Sequence, residues 1–242
     1  MVLLSDRETG LPIAVLDGTV ASAMRTGAIG GIAARALANP GSSIATLLGA
    51  GVQARTQLMA LERTLALEEV RVHDMVAGRA TEFCERERRA GFRLVPVDDP
   101  AEAYAGSAVV VAATMADAPF VPPEWLEPGS VFISISSLDP TLELIAACDV
   151  WVTDVWEHET GHHSRPFARA LAAGVVTREQ VIHLGDLLVG NVSGRTAQDQ
   201  RIFVSPVGVG IEDVAEAWRV VRRARELGIG TPLQLWERPV WT

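Results

Sequence analysis

The sequence lacks lysine entirely: each of the 21 basic residues in its 242 is an arginine. A Schiff-base or proton-transfer lysine is therefore excluded, unless another subunit or chain provides one. Cysteine is scarce as well, and Cys84 and Cys148 stand outside any metal-binding or redox motif. Two such thiols are more typical of a reducing cytoplasm than of a disulfide framework.

The sequence also has fewer basic than acidic residues, 21 against 30, and few long apolar runs. The net charge is -9 and the sequence pI is about 5.1, which argues against nucleic acid or an anionic membrane as a partner. No apolar run reaches the length of a membrane span, and the first residues do not show the charged-then-apolar pattern expected of a signal peptide. With 48% hydrophobic residues, we expect a soluble, globular, cytoplasmic protein of one large domain or a domain with a smaller appendage.

One glycine-rich turn is the most informative feature that is present. The apolar run 44–48 leads into Gly49-Ala50-Gly51-Val52-Gln53-Ala54, and a helical pattern follows at once. This is the G-x-G-x-x-G/A arrangement that binds a dinucleotide: Gly49 allows the turn, Gly51 lets backbone approach a pyrophosphate, and Ala54 allows close packing. A second apolar run ends on Asp74, where a carboxylate would bind the ribose hydroxyls of NAD. The alternatives are an ordinary strand-turn-helix and, for Asp74, a helix cap.

Strands and helices alternate from residue 44 onward, as in a parallel sheet with crossover helices. A hairpin with strands at 2–4 and 13–16 and a helix over 21–38 precede this region. Helices are predicted at 53–65 and 77–89, and strands at 44–48, 70–73, 93–97, 108–112, 131–135 and 150–153. Six strands in this rhythm predict a doubly wound dinucleotide-binding fold.

The regular alternation of predicted strands and helices ends after Asp154. Residues 155–166 are polar and poorly periodic, and the pattern predicts a loop there. Helices are predicted at 167–173, around 178–188 and at 211–227, with a strand at 201–204. Within the loop, His158-Glu159-Thr160-Gly161-His162 matches the zinc-protease pattern H-E-x-x-H. Gly161 and the nearby Pro166 disfavour the helix that this zinc site requires, so we predict no metal site.

Several separated stretches together resemble the ornithine cyclodeaminase/mu-crystallin family, which includes alanine dehydrogenases and siderophore-pathway amino-acid dehydrogenases. In chain order they cover almost the whole sequence: Asp6-x-x-Thr9-Gly10-x-Pro12, Met24-Arg25-Thr26-Gly27-Ala28, Gly49 to Ala54, and Phe203-Val204-Ser205 leading to Ile211-Glu212-Asp213. The arginine-threonine pair and the glutamine after the glycines are more specific than the nucleotide motif alone.

The resemblance implies an α/β fold: a Rossmann-type doubly wound parallel sheet over 41–210, with a reduced substrate and dimerisation domain from 1–40 and 211–242. Arg25 would bind a substrate carboxylate, although a surface helix charge is the alternative. NAD would be the cofactor, favoured over NADP because Asp74 repels a 2′-phosphate. Cofactor contacts would come from Gly49, Gly51, Val52, Gln53, Asp74, Thr114, Phe132, Ile133, Ser134, Ile135 and Ser205.

Two departures from the family pattern matter. The chain begins at the hairpin that follows a longer N-terminal segment in family members, a segment that normally holds a substrate-binding arginine and a lysine. Cyclodeaminases of the family place a catalytic aspartate two residues before a proline, where this chain has Leu138, beside Asp139 and Pro140. Leucine cannot transfer protons, so ornithine cyclisation is not expected. The stretches around 134–140 and 153–158 are closer to the siderophore-pathway branch.

The expected function is NAD-dependent oxidoreduction of a small amino acid or its imine, with Asp154 and His158 as candidate acid-base groups. A turn-capping role is the alternative for Asp154, and a solvated loop position for His158. A catalytically inactive nucleotide-binding protein, as in mu-crystallin, is the second hypothesis. The small apolar hairpin and first helix predict a homodimer.

Overall fold

The computed structural model describes residues 1–234 as alternating strands and helices. Two strands and a helix come first: β1 Val2–Ser5, β2 Pro12–Leu16 and α1 Gly18–Leu37. The alternating region then runs through β3 Ile44–Leu48, α2 Val52–Thr64, β4 Glu69–His73, α3 Arg79–Arg86, β5 Arg93–Pro96, α4 Pro100–Tyr104, β6 Val109–Ala112, β7 Val131–Ser134, α5 Leu142–Ala146 and β8 Val150–Thr153. The remaining elements are α6 Trp156–Thr160, α7 Pro166–Ala172, β9 Val181–His183, α8 Leu184–Leu188, β10 Ile202–Ser205 and α9 Gly210–Leu227.

The main sheet of the described residues has eight strands in the order β5-β4-β3-β6-β7-β10-β8-β9, and every neighbouring pair is parallel. The predicted doubly wound parallel sheet is confirmed. Strand order reverses between β3 and β6, the place where such sheets bind ligands beyond the strand ends. The late strand β10 inserts between β7 and β8, so residues 202–205 lie in the middle of one half of the sheet.

Two local predictions are wrong. Residues 178–188 do not form one helix: a short 3-10 turn leads into β9 and then α8. Val181 and Ile182 are β-branched residues, and pairing with β8 outweighs their limited helical periodicity. Residues 155–166 are not all loop, because α6 occupies Trp156–Thr160. There, Trp156 packs with Phe167 at a ring-centroid distance of 6.1 Å, which shows tertiary packing overriding a weak local pattern.

Both faces of the sheet are buried, as parallel sheets require. Leu47, Val111 and Val204 face one hydrophobic cluster, which also includes residues of α1, α2, α3 and α8. Leu48, Val110 and Phe203 face the other cluster, which α4, α5, α6 and α7 cover. Because adjacent residues point to opposite faces, only the strand ends and the loops that follow them are available to a ligand.

The chain divides into two compact units, one spanning Ala23–Val209 and one formed by Met1–Ser22 with the described residues from Gly210 to Gln234. In the smaller unit, the antiparallel pair β1–β2 packs on α9, with Leu4, Ala217 and Val221 buried between them. The predicted domain limits at 40/41 and 210/211 stay a prediction, and residues 235–242 of the range 211–242 lie outside the described residues. Within residues 1–234, no helix has the length and apolar character needed to cross a membrane.

Candidate active site at the carboxyl ends of the strands

The turn after β3 requires glycine at its first position. Gly49 has φ +90°, and a β-carbon there would lie 2.6 Å from the carbonyl oxygen of Ala113, just beyond β6. An alanine would therefore meet both an unfavourable backbone conformation and fixed backbone. Gly51 differs: it is exposed, has φ −92°, and open space surrounds the position of its missing β-carbon. The ends of β3 and β6 thus come close together while the space in front of Gly51 stays free.

The N-terminus of α2 opens onto that space. No side chain caps this 13-residue helix and no acidic residue lies in its first turn. Val52 is exposed, Gln53 is half-buried and Ala54 is fully buried. Uncapped N–H groups and the helix dipole attract an anion, and the glycine at the cap lets that anion approach the backbone. These residues fit a dinucleotide pyrophosphate.

Asp74 supports the glycine turn directly. Its Oδ2 accepts a hydrogen bond of 2.9 Å from the Ala50 N–H, and Oδ1 accepts one of 2.9 Å from the Val76 N–H. Arg79 lies 3.8 Å from Oδ1. The carboxylate just after β4 therefore joins the loop after β3 to the loop after β4, and its role toward a ribose stays a prediction.

A buried carboxylate joins the loops after β6 and β7. Asp139 is fully buried and accepts hydrogen bonds from the hydroxyls of Thr114 and Ser136. Burial raises the pKa of Asp139, and the hydrogen bond from Thr114 opposes that rise. Leu138 beside it is half-buried. The Asp139 side chain thus points into the protein, and Thr114 is held just beyond the end of β6.

Four predicted cofactor contacts come from β7 and the residue after it. Phe132 and Ile133 are fully buried on opposite faces of the sheet, where Phe132 stacks on Phe203 at 5.9 Å. Ser134 is also buried and donates a hydrogen bond of 2.6 Å to the Ser136 carbonyl. Ile135 is half-buried beyond the strand end. The side chains of Phe132 and Ile133 contribute packing, so Ile135 is the side chain of this group best placed to meet a ligand.

Asp154 follows β8 and is 6% exposed. Its Oδ1 accepts from the N–H groups of Val155 at 2.7 Å and Val207 at 3.0 Å, and Oδ2 accepts from the Gly208 N–H at 2.6 Å. Both carboxylate oxygens therefore have backbone partners in the loop after β10.

Glu159, the acid of the H-E-x-x-H match, is fully buried. Its Oε1 accepts a hydrogen bond of 2.8 Å from the Ser205 hydroxyl, and Oε2 accepts one of 3.2 Å from the Phe167 N–H. Burial raises the pKa of this carboxyl group, and the bond from Ser205 opposes that rise. The glutamate ties α6 and α7 to the end of β10. Within residues 1–234 no cluster of three or more His, Cys, Asp or Glu side chains could hold a metal ion.

His158, in contrast, is exposed on α6. It lines a cavity of about 490 Å³ outside the ends of β7 and β8. The other lining residues are Ser137, Glu157, Gly161, His162, Ser164 and Arg165. An exposed imidazole can accept and donate a proton and so can exchange protons with a bound molecule. Of the two acid-base candidates, His158 is the one whose ring is open to such exchange.

Arg25 is half-buried on α1, which lies against α2 through a series of glycines. A β-carbon on Gly27 would be 2.5 Å from the Thr56 carbonyl oxygen, and one on Gly31 would be 2.7 Å from Cβ of Ala60. The Gln57 amide nitrogen also donates a 2.9 Å hydrogen bond to the Thr26 carbonyl. This close packing sets Arg25 relative to the helix that begins at the glycine turn.

The structure therefore brings the predicted residues to one edge of the sheet, apart from the buried side chains of Phe132 and Ile133. Sequence reasoning missed the roles of Glu159 and Gly208. The signal for Gly208 was present in the glycines of the 205–210 stretch. Arg25, whose Nη1 would lie 1.9 Å from a β-carbon on Gly208, is far away in the sequence.

Comparison with known proteins agrees with this geometry. The model of the ornithine cyclodeaminase/mu-crystallin family matches residues 1–228. N-((2S)-2-amino-2-carboxyethyl)-L-glutamate dehydrogenase of Staphylococcus aureus is 30% identical over 240 residues, which cover 98% of this chain and 71% of that protein. Δ1-pyrroline-2-carboxylate reductase of Thermococcus litoralis, solved with NADH and L-proline, is similar with a TM-score of 0.87 and 30% identity, covering 96% of this chain and 73% of that one. An archaeal alanine dehydrogenase dimer with bound NAD has a TM-score of 0.86 and 29% identity, covering 97% and 73%.

Proposed function

Because the chain belongs to the ornithine cyclodeaminase/mu-crystallin family, we infer that it is an NAD(H)-dependent oxidoreductase acting on a small amino acid or its imine. The observation that carries this inference is the uncapped N-terminus of α2 behind the open face of Gly51. The similar dehydrogenase and reductase, the latter solved with NADH, support it.

Different cofactor-binding residues along the strand ends would contact different parts of the dinucleotide. The N–H groups of Val52 and Gln53 would bind the pyrophosphate, which Gly49 and Gly51 allow to approach. Asp74 would face the adenine ribose and disfavour a 2′-phosphate. The nicotinamide end of the cofactor would contact Thr114, Ser134, Ile135 and Ser205, and the backbone of Phe132 and Ile133. When bound there, the nicotinamide supplies the hydride chemistry.

The substrate would bind beside that end. Arg25 can hold an amino-acid carboxylate through two parallel hydrogen bonds, which fixes the orientation of the reacting carbon. His158 would exchange a proton with the substrate nitrogen, because its ring borders the open cavity whereas the Asp154 oxygens accept from backbone. Cyclisation of ornithine is not proposed, since Leu138 occupies the place of the cyclodeaminase aspartate.

Two measurements test this function. NADH binding should be detectable by fluorescence and should exceed NADPH binding, and Asp74→Asn should narrow that difference. Turnover should then be found by following NADH or NAD with a panel of amino acids, 2-oxo acids and cyclic imines. NADH binding without turnover on the whole panel would contradict the enzymatic role.

Arg25→Gln tests the substrate site separately. We expect KM for the carboxylate substrate to rise by about tenfold or more, with an unchanged dissociation constant for NADH. Arg35→Gln is the matched control, because Arg35 is an exposed arginine on the same helix. Equal kinetic effects of the two changes would remove Arg25 from the substrate site.

A catalytically inactive nucleotide-binding protein is the second candidate. Asp139, the carboxylate next to Leu138, is fully buried and bonded to Thr114 and Ser136, so it does not replace the missing aspartate. This candidate predicts NADH binding with no turnover, and a ligand-bound structure with a solvated nicotinamide face.

We further propose a cytoplasmic homodimer. The smaller unit exposes apolar side chains on both of its parts, with Leu3 and Val15 each 56% exposed and Ile211 76% exposed. A second copy would cover such a surface, and the similar archaeal alanine dehydrogenase is a dimer. Light scattering at micromolar concentration should give twice the chain mass; a monomer would contradict the proposal. Cell fractionation tests the location.

A further inference from the structure

The loop that follows β10 is held from one side by the end of β8. The Thr153 hydroxyl donates a 2.8 Å hydrogen bond to the Ser205 carbonyl. Asp154 then accepts from the next two available N–H groups, those of Val207 and Gly208, because Pro206 has none to offer. The carboxylate is nearly inaccessible to solvent. Three contacts in succession thus fix where the chain passes as it leaves the sheet.

Gly208 in turn lies directly against Arg25. An ideal β-carbon on Gly208 would be 1.9 Å from Nη1 of Arg25, 2.8 Å from Cζ and 3.1 Å from Nη2. The guanidinium group therefore occupies the space that a side chain at Gly208 would need. Gly208 also has φ +85°, a conformation that favours glycine for a separate reason.

These two sets of contacts form one connected path from a buried carboxylate to the arginine. We propose that Asp154 is a positioning residue: it holds Gly208 beneath the Arg25 guanidinium and so orients that group toward the substrate carboxylate. This rests on the proposed function, in which Arg25 binds the substrate. A carboxylate suits the task because both of its oxygens accept hydrogen bonds, whereas an amide can accept at only one.

Asp154→Asn is the direct experiment. The amide nitrogen must face one of the backbone N–H groups, and the repulsion between two donors displaces the loop at Val207 or Gly208. We expect KM for the carboxylate substrate to rise about tenfold, while the NADH dissociation constant stays the same and the pH profile of kcat keeps its shape. The opposite result would be a large fall in kcat and the disappearance of one limb of its pH profile, with KM unchanged. That result would make Asp154 the proton-transfer group and overturn the proposal.

Asp149→Asn is the matched control. Asp149 precedes β8 and accepts a 2.7 Å hydrogen bond from the Arg201 N–H, so it holds the opposite end of the same two strands. This variant should lose stability without raising KM. A comparable rise in KM would show that any loosening of β8 and β10 is sufficient, and the specific role of Asp154 would be lost.

Combining variants separates this inference from the proposed function. If Arg25→Gln alone leaves KM unchanged, the substrate role of Arg25 has failed, and the positioning role fails with it. If Arg25→Gln raises KM, then Asp154→Asn should add little on that background, because the two act through one group. Full additivity would refute the positioning role alone. Gly208→Ala provides a second route: it should raise KM with Asp154 intact, and an unchanged KM would count against the path.

Discussion

The glycine turn after β3 and the loop after β10 lie at the same edge of the sheet but are assembled differently. At the turn, the residues that matter are Gly49, Gly51 and the start of α2, all within a few positions, with Asp74 from the adjacent strand. At the loop, Gly208 is held by Asp154 and covered by Arg25, which are distant in the chain. The glycine turn can thus be recognised from contiguous residues, whereas the surroundings of Gly208 depend on contacts that only folding creates.

The H-E-x-x-H segment illustrates the same contrast. Read locally, His158, Glu159 and His162 match a zinc-binding pattern. In the structure, Glu159 is buried against Ser205 while His158 is exposed, so the two side chains point to different environments. A motif predicts chemistry only when its residues share one face, and burial decides that.

The largest effect expected of a single change is at the glycine turn. Gly49→Ala combines a left-handed backbone conformation with a close contact to the fixed Ala113 carbonyl. It should lower the free energy of unfolding by about 3 kcal/mol or more and abolish NADH binding. Gly41→Ala is the matched control, because Gly41 has φ +81° and open space around it; the backbone strain alone should cost about 1–2 kcal/mol. Thermal unfolding and NADH titration check both. Equal losses at the two positions would mean that the contact between β3 and β6 ends is unimportant.

Gly51→Ala should separate binding from folding. Open space surrounds Gly51 and its φ is −92°, so the melting temperature should stay nearly unchanged. The added methyl group would lie where the pyrophosphate approaches, and the NADH dissociation constant should rise by about tenfold or more. Calorimetric titration gives the comparison. Undiminished affinity would place the cofactor elsewhere and remove the main support for the nucleotide site.

A smaller, pH-dependent effect is expected at Glu159. Burial raises the pKa of this carboxyl group in the folded protein, so the folded state binds the proton more tightly than the unfolded state. The resulting stabilisation is present below the pKa of the unfolded chain and is lost as pH rises through the higher folded value. The melting temperature of the wild type minus that of Glu159→Gln should therefore fall as pH rises across that range. The nearby charged groups, Asp154, Arg165 and Arg169, stay the same in both proteins.

Glu157→Gln is the control for this measurement, since Glu157 is exposed on the same helix. It should show little pH dependence relative to the wild type. If the melting temperatures of the Glu159 and Glu157 variants, each relative to the wild type, changed with pH in the same way, burial of Glu159 would not be the cause of the pH dependence.

Much of the fold could be predicted because its signals are local. The strand at 44–48 and the glycines after it were found at their observed positions, and the strand at 150–153 has the predicted bounds. The short elements α6 and β9 were missed, because each depends on a neighbour: Trp156 packs with Phe167, and Val181 pairs with Trp151. Buried partners of this kind leave no periodic signal in a segment of three to five residues.

By itself, the sequence determined that this protein has a parallel sheet with a dinucleotide turn, that its 242 residues contain no lysine, and that Leu138 stands where the cyclodeaminases of the family have an aspartate. Those conclusions need only residue types and short spacings. The tertiary structure decided the rest: β10 lies between β7 and β8, Glu159 is buried under Ser205, and Asp154 reaches Gly208 beneath Arg25. The physical reason is that burial and hydrogen-bond partners across the sheet are set by which strands become neighbours, which no local pattern specifies.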